Sequence, residues 1–151
     1  MSDAIVHRPY DLGLGVSLGD KRDVGVCDAC HVQFFQGSAV LIWEVLDAPE
    51  PFLVISFADV ETLRVLDETW VSTETDSKRW CGIDGSFART VEGGEYPTPL
   101  ALMNEIAGPI THYQFVTGCD CVDVLAADKP KARFVSQDSL ANFRIDHFTA
   151  N

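Results

Sequence analysis

Two cysteines and a histidine, Cys27, Cys30 and His31, are spaced as C-x-x-C-H in the stretch GVCDACHVQF. This spacing occurs in covalent haem attachment sites, in one half of a zinc site and in redox dithiols, and it also arises without any chemistry. A redox dithiol needs a thiolate stabilised by a helix N-terminus. Residues 31–36 instead alternate as a strand does, and a haem site also needs an axial ligand and usually a helix. The sequence therefore disfavours haem and dithiol chemistry.

A second cysteine pair, Cys119 and Cys121 in TGCDCVD, makes zinc a stronger alternative. Together with Cys27 and Cys30, it supplies the four thiolates of a tetrahedral structural site. The spacing C-x-C on a regular strand places two side chains on one face about 7 Å apart, so a bend near Gly118 is required. The simpler interpretation is that the five cysteines are reduced, small hydrophobic residues in a core. We therefore predict no cofactor, with zinc on these four cysteines as the alternative.

Acid–base and nucleophilic chemistry has few candidates. The four histidines are scattered, and the sequence contains neither H-E-x-x-H nor G-x-S-x-G. The pairs Asp67–Glu68 and Asp120/Asp123 can act as acid and base only if they are buried near each other, and we expect them on a solvated face. A small β-sheet hydrolase or isomerase using His112 or Asp123 remains an alternative. No catalytic residue is predicted.

The elements that must position these residues are mainly strands. Short apolar or alternating runs separated by polar turns predict an antiparallel arrangement. One helix is expected near residues 98–107, because Thr98 and Pro99 suit its start and Gly108-Pro109 its end. The predicted fold class is α+β, mainly β: an antiparallel meander or sandwich-like sheet of about 8–10 short strands with one short helix. The strands are expected at 12–18, 30–34, 39–46, 51–57, 62–66, 86–91, 112–117, 121–126, 132–135 and 143–148.

Length and composition indicate one domain over residues 1–151. The chain is 46% hydrophobic and has no run of about 20 apolar residues that could span a bilayer. Its start has no basic region followed by an apolar one, so no secretory signal is visible. We therefore expect a cytoplasmic protein with reduced cysteines.

Negative charge is concentrated in one window of the chain. The net charge is −12, and residues 44–76 contain nine acidic residues against one basic residue, Arg64. This excess disfavours nucleic acid and anionic membranes and favours a basic protein partner through electrostatic steering. A tryptophan rimmed by charge is a typical interface anchor. The predicted partner-binding residues are Asp59, Glu61, Asp67, Glu68, Trp70, Glu74 and Asp76.

Two blocks, ISFADVETLRVLDE at residues 55–68 and THYQFVTGCDCVDVLAADKP at residues 111–130, cover 34 of the 151 residues. They resemble small bacterial proteins similar to immunity proteins of toxin systems. The matching positions are Phe57, Val60, Arg64, Val65, Asp67, Glu68, His112, Tyr113, Asp123, Val124, Leu125 and Pro130.

This resemblance implies a compact β-rich domain without established catalytic residues, in which Arg64 pairs with Asp67 or Glu68. Together with the acidic window, it favours a binding function over catalysis. The leading hypothesis is an acidic cytosolic binding protein, in its most specific form an immunity-type inhibitor that covers a basic toxin or nuclease surface. Its oligomeric state is not predicted.

Overall fold

The structure, a computed structural model, describes residues 5–19, 21–67, 86–93, 100–118 and 120–140. Within these ranges the chain is mainly β, with nine strands, one helix, α1, and a helical turn at residues 137–140. The predicted fold class is therefore confirmed. The elements in chain order are β1 Val6–Pro9, β2 Gly25–Phe35, β3 Ser38–Leu46, β4 Phe52–Phe57, β5 Val60–Asp67, β6 Ala88–Glu92, α1 Leu100–Ala107, β7 Thr111–Val116, β8 Asp120–Ala126 and β9 Lys131–Val135.

The described strands form two antiparallel sheets. The five-stranded sheet has the order β1-β6-β7-β8-β5, and the four-stranded sheet has the order β2-β3-β4-β9. Short turns join β2 to β3 and β4 to β5, and the second of these turns carries the chain from one sheet to the other. The Asp128 carboxylate fixes that turn by accepting hydrogen bonds from the Ala58 and Asp59 amides at 2.7 and 3.0 Å.

The core lies between the two sheets. Alternate residues of β3 and β4 meet alternate residues of β7 and β8, as expected when two half-apolar sheets pack face to face. Four aromatic rings dominate this contact: Trp43 packs edge-on against Phe87 with centroids 4.9 Å apart, and Phe115 contacts both of them and Phe57. Such ring pairs stabilise the fold beyond their buried area.

The dense apolar run AVLIWEVL of β3 is explained by burial on both faces. Leu41 and Trp43 face the inter-sheet core, whereas Val40 and Ile42 belong to a second cluster with Val54, Val135 and Leu140. A strand covered on both sides shows no polar alternation. The four-stranded sheet therefore carries apolar side chains on both of its faces.

The alternation at residues 12–18 is not a strand, contrary to the prediction. Gly13 and Gly15 adopt φ of 75° and 74°, and the Asp11 carboxylate accepts a hydrogen bond from the Gly13 amide at 2.8 Å. Only glycine enters this left-handed region without steric cost. The segment is a series of bends. Its leucines pack against the core because the backbone changes direction between them, not because side chains alternate along a strand.

Strand β1 was not predicted and β2 begins five residues before the predicted strand at 30–34, whereas the other predicted elements in the described ranges lie within about two residues of their observed bounds. Helix α1 ends where expected, because Gly108 takes a φ of 85° and the Asn104 side chain accepts a hydrogen bond from the Ile110 amide at 2.9 Å. The predicted cap Thr98 and the predicted strand at 143–148 lie outside the described residues. In the described part of the chain, no helix has the length and apolar character needed to cross a membrane.

Candidate functional site

A cluster of polar side chains lies on the face of the five-stranded sheet that points away from the core. Asp123 on β8 stands directly opposite Arg64 on β5 and Gln114 on β7. Both Nε and Nη2 of Arg64 donate to Asp123 Oδ2, at 3.2 and 2.9 Å. The other oxygen, Oδ1, accepts from His112 Nε2 at 2.7 Å and from Gln114 Nε2 at 3.1 Å. We call these four residues the Asp123 network.

Three members of the Asp123 network are buried, and the Arg64 side chain is 21% exposed. Asp123 and Gln114 are 0% exposed and His112 is 1% exposed, so the prediction of a solvated face is wrong for Asp123. A buried carboxylate must be paired and hydrogen-bonded to offset the loss of its hydration. The three donors around Asp123 meet this requirement.

The resemblance predicts an ion pair of Arg64 with Asp67 or Glu68, and the structure shows Arg64 paired with Asp123, whereas Glu68 lies outside the described residues. Asp67 lies three residues along β5 and points to the opposite face of the sheet, whereas Asp123 lies directly opposite Arg64 on the adjacent strand. This geometry makes the Asp123 network a cross-strand clamp between β5, β7 and β8.

Catalysis by His112 or Asp123 requires that a substrate reach them. His112 is buried and held by Asp123, and neither residue lines the cleft of about 620 Å³ at the start of β2. The geometry therefore favours a structural role for this pair.

Three of the predicted binding residues lie in the described part of the chain, and they follow β5 at one edge of its sheet. Asp59, Glu61 and Asp67 are exposed. Asp59 precedes the strand and Asp67 ends it, so about 25 Å separates them at 3.3 Å per residue. Glu68, Trp70, Glu74 and Asp76 lie outside the described residues. The described acids thus follow one strand instead of forming a compact cluster.

A compact acidic group does form at the far end of β5. Asp67 is the direct cross-strand partner of Asp120 on β8, and Asp28 of β2 is close enough to act on the same carboxyl. Burial and the negative charges of Asp28 and Asp67 raise the pKa of Asp120 above its usual value. We call Asp28, Asp67 and Asp120 the acidic end. Of these three residues, the sequence predicted only Asp67 as a binding residue. Strand register places Asp120 opposite Asp67, and the sequence does not reveal that register.

Asp28 also joins the two cysteine-bearing segments. Its carboxylate accepts a hydrogen bond from the Gly118 amide at 2.9 Å, and its carbonyl accepts one from the Thr117 hydroxyl at 3.3 Å. Since Asp28 follows Cys27, the structure brings the CDAC segment next to the turn of TGCDC.

The thiol of Cys121, however, lies on the outer face of the five-stranded sheet, because its neighbour Val122 packs in the inter-sheet core. It points away from β2, which carries Cys27, and neither cysteine forms a disulfide. Cys119 and the side chain of Cys30 are outside what the structure describes. Among the described side chains, no group of three or more His, Cys, Asp or Glu residues could hold a metal ion. Zinc binding stays a prediction.

Comparisons with known proteins assign no family to this chain. No protein-family model, curated protein or solved structure matches it significantly. The resemblance of residues 55–68 and 111–130 to immunity proteins of toxin systems therefore also stays a prediction.

Proposed function

We propose that this protein is a binding protein that docks a basic protein partner along β5 and the acidic end. The observation that carries the proposal is the cross-strand pair of Asp67 and Asp120, with Asp28 beside it. Like charges directly opposite each other destabilise a sheet. Lysine or arginine side chains of a partner would offset this repulsion.

The exposed acids along β5 extend the same surface. A standard interface covers about 800 Å² per partner, which corresponds to a patch roughly 28 Å across. A single partner can therefore span from Asp59 to Asp67. The turn that carries Asp59 is fixed by Asp128, so this end of the surface is ordered before binding, which lowers the entropic cost of association.

In its most specific form, the proposal is an immunity-type inhibitor that covers a basic toxin or nuclease surface. This form rests on the sequence resemblance and on the net charge of −12. Its mechanism is charge-steered association, in which the carboxylates accelerate encounter with a basic surface and fix the orientation of the complex.

The test begins with native mass spectrometry of the protein purified gently from its own cells, to find a basic protein bound at fixed stoichiometry. Association kinetics with that partner are then measured for Glu61→Lys/Asp67→Lys and for a matched control, Glu105→Lys/Asp138→Lys, which reverses two exposed acids elsewhere. We expect the first variant to associate at least about ten-fold more slowly at low salt and with a flatter salt dependence.

The control should change the association rate much less, because its charges lie outside the proposed surface. Equal rates for the two variants would show that the partner does not use β5. The absence of any basic partner in the native complex would contradict the proposed function itself.

A further inference from the structure

Two edge strands, one from each sheet, border a gap at one side of the packed sheets. Strand β5 ends the five-stranded sheet and β2 ends the four-stranded sheet, and the described strands show no pairing between these two. Both ends of the gap are closed by hydrogen bonds. The Val60 amide at the start of β5 donates to the Gly37 carbonyl just after β2, at 2.7 Å. At the other end, Asp28 of β2 accepts from the Gly118 amide at 2.9 Å, in the turn that leads into β8 beside the end of β5. We call this gap the lateral opening.

Apolar side chains that face inward are exposed at the lateral opening. Val65 of β5 lies opposite the core residue Val122, and Phe34 of β2 lies opposite the core residue Ala39. Directly opposite residues share one face of a sheet, so Val65 and Phe34 both point to the space between the sheets. Val65 is nevertheless 41% exposed and Phe34 is 52% exposed, whereas Val122 and Ala39 are fully buried. The described strands therefore leave this side of the core open.

The edge of β5 suits pairing with a further strand. An edge strand presents backbone N–H and C=O groups that can pair with another chain. In binding by strand addition, these backbone bonds supply affinity, and alternate side chains of the added segment enter pockets. Many natural edges prevent such pairing with an inward-pointing charge. The middle of β5 instead points Leu63 and Val65 inward, so an added strand there has an apolar surface to cover.

The charges around the lateral opening select its occupant. Asp59 and Glu61 lie at one end of β5, and the acidic end lies at the other. A second copy of this chain fits poorly. Two antiparallel β5 strands centred on Arg64 would place Asp67 of each copy opposite Glu61 of the other, and like charges directly opposite each other destabilise a sheet. A strand with lysine or arginine near both of its ends is complementary to these charges.

We propose that the lateral opening receives an extended segment of the basic partner, which pairs with β5 as an added strand. Apolar residues in the middle of that segment cover Val65 and Phe34. Lysine or arginine side chains near its ends lie beside Glu61 and the acidic end. This inference rests on the proposed function, because it uses the same surface, and it specifies that the partner binds through backbone pairing as well as through charge.

The test uses a synthetic peptide, KKVTVTVKK with blocked termini, titrated into the ¹⁵N-labelled full chain and followed by NMR. We expect saturable shifts of the Leu63 and Val65 amides. One control is the same peptide with N-methyl groups on its three central residues, which removes N–H donors from both of its edges but keeps its charge. The other control, EEVTVTVEE, reverses the charge. We expect each control to bind at least about ten-fold more weakly than the probe, since one loses backbone hydrogen bonds and the other is repelled.

Val65→Asn is the informative variant of the protein, and Val16→Asn is its matched control. The two valines are exposed to a similar extent, 41% and 39%, and Val16 lies outside β5. We expect Val65→Asn to weaken binding of KKVTVTVKK about ten-fold, because the apolar contact in the lateral opening is lost, whereas Val16→Asn leaves binding unchanged. Equal binding of the N-methylated peptide, equal effects of the two variants, or no saturation by the probe would overturn strand addition.

Failure of this inference and failure of the proposed function give different results. If Glu61→Lys/Asp67→Lys slows association with the native partner but KKVTVTVKK does not bind at β5, charge alone docks the partner and strand addition is wrong. If the native complex contains no basic protein, the proposed function is contradicted, and with it the claim that a partner segment occupies the lateral opening.

Discussion

The inner face of the five-stranded sheet packs Tyr113, Phe115 and Val124 against the other sheet, whereas its outer face buries the Asp123 network. Both faces are shielded from water, yet the chemistry of burial differs. The inner face is stabilised by the transfer of apolar surface and by ring contacts, which need no directional partners. The outer face depends on hydrogen bonds, and each residue of the Asp123 network must be positioned to form its own.

This contrast shows what each face contributes. An apolar core tolerates substitutions that keep its volume, but a buried charge that loses its partner is costly. The Asp123 network therefore holds β5, β7 and β8 in one register. A shift of one residue would separate Arg64 from Asp123 and would turn the outer side chains of the shifted strand towards the core.

Truncation on the inner face should have the largest effect. We expect Phe115→Ala to lower the free energy of unfolding by about 4 kcal/mol, because it removes a ring that contacts Trp43, Phe57 and Phe87 and leaves a cavity. Urea unfolding followed by tryptophan fluorescence measures the change. Phe34→Ala, at a position 52% exposed, is the control and should cost less than about 0.5 kcal/mol. Similar losses in both variants would mean that Phe115 is not part of a packed core.

A neutral substitution on the outer face should cost slightly less. Asp123→Asn keeps the size of the side chain but removes the charge that Arg64 and His112 contact, and we expect a loss of about 3 kcal/mol. Asp138→Asn removes an exposed carboxylate and controls for the change in net charge. In the double variant Arg64→Met/Asp123→Asn, the two costs should not add, because the residues share one interaction. Additive costs, or a loss below about 1 kcal/mol for Asp123→Asn, would show that the ion pair does not hold the strands.

The smallest effect, and the only stabilising one, is expected at the edge of the same sheet. Asp120→Asn should raise the free energy of unfolding by about 0.5 kcal/mol at pH 7, because it removes a like charge opposite Asp67. The control is Asp59→Asn, which removes an exposed acid at the other end of β5. It changes the net charge equally, but it does not remove a charge opposite Asp67. A destabilising effect of Asp120→Asn would argue against repulsion at the acidic end.

The advantage of Asp120→Asn should also depend on pH in a defined direction. Since the pKa of Asp120 is raised in the folded protein, the folded state holds that proton more tightly than the unfolded state. The destabilisation is fully present above the raised pKa, and it disappears as the pH falls towards the ordinary value of 3.8. Urea titrations of both proteins between pH 7 and pH 4 should therefore converge on acidification, and a constant difference would contradict the cause given for the shift.

Much of the local structure was predictable, because strand and turn signals are properties of neighbouring residues. The predicted bounds of β3, β7 and β8 and the predicted end of α1 lie within about two residues of the observed ones. Residues 12–18 were mispredicted because glycines at alternate positions fit a strand pattern and a chain of left-handed bends equally well. Only the backbone conformation distinguishes the two.

The sequence by itself determined the β-rich class, the acidic character of β5 and the absence of a recognisable catalytic motif, since these follow from composition and short-range periodicity. The tertiary structure alone decided that Asp123 is buried with Arg64, that Asp67 faces Asp120 and that Arg89 shares a cleft with Lys21. Each of these relations joins residues far apart in the chain. Their contacts depend on strand register and sheet packing, which no local pattern encodes.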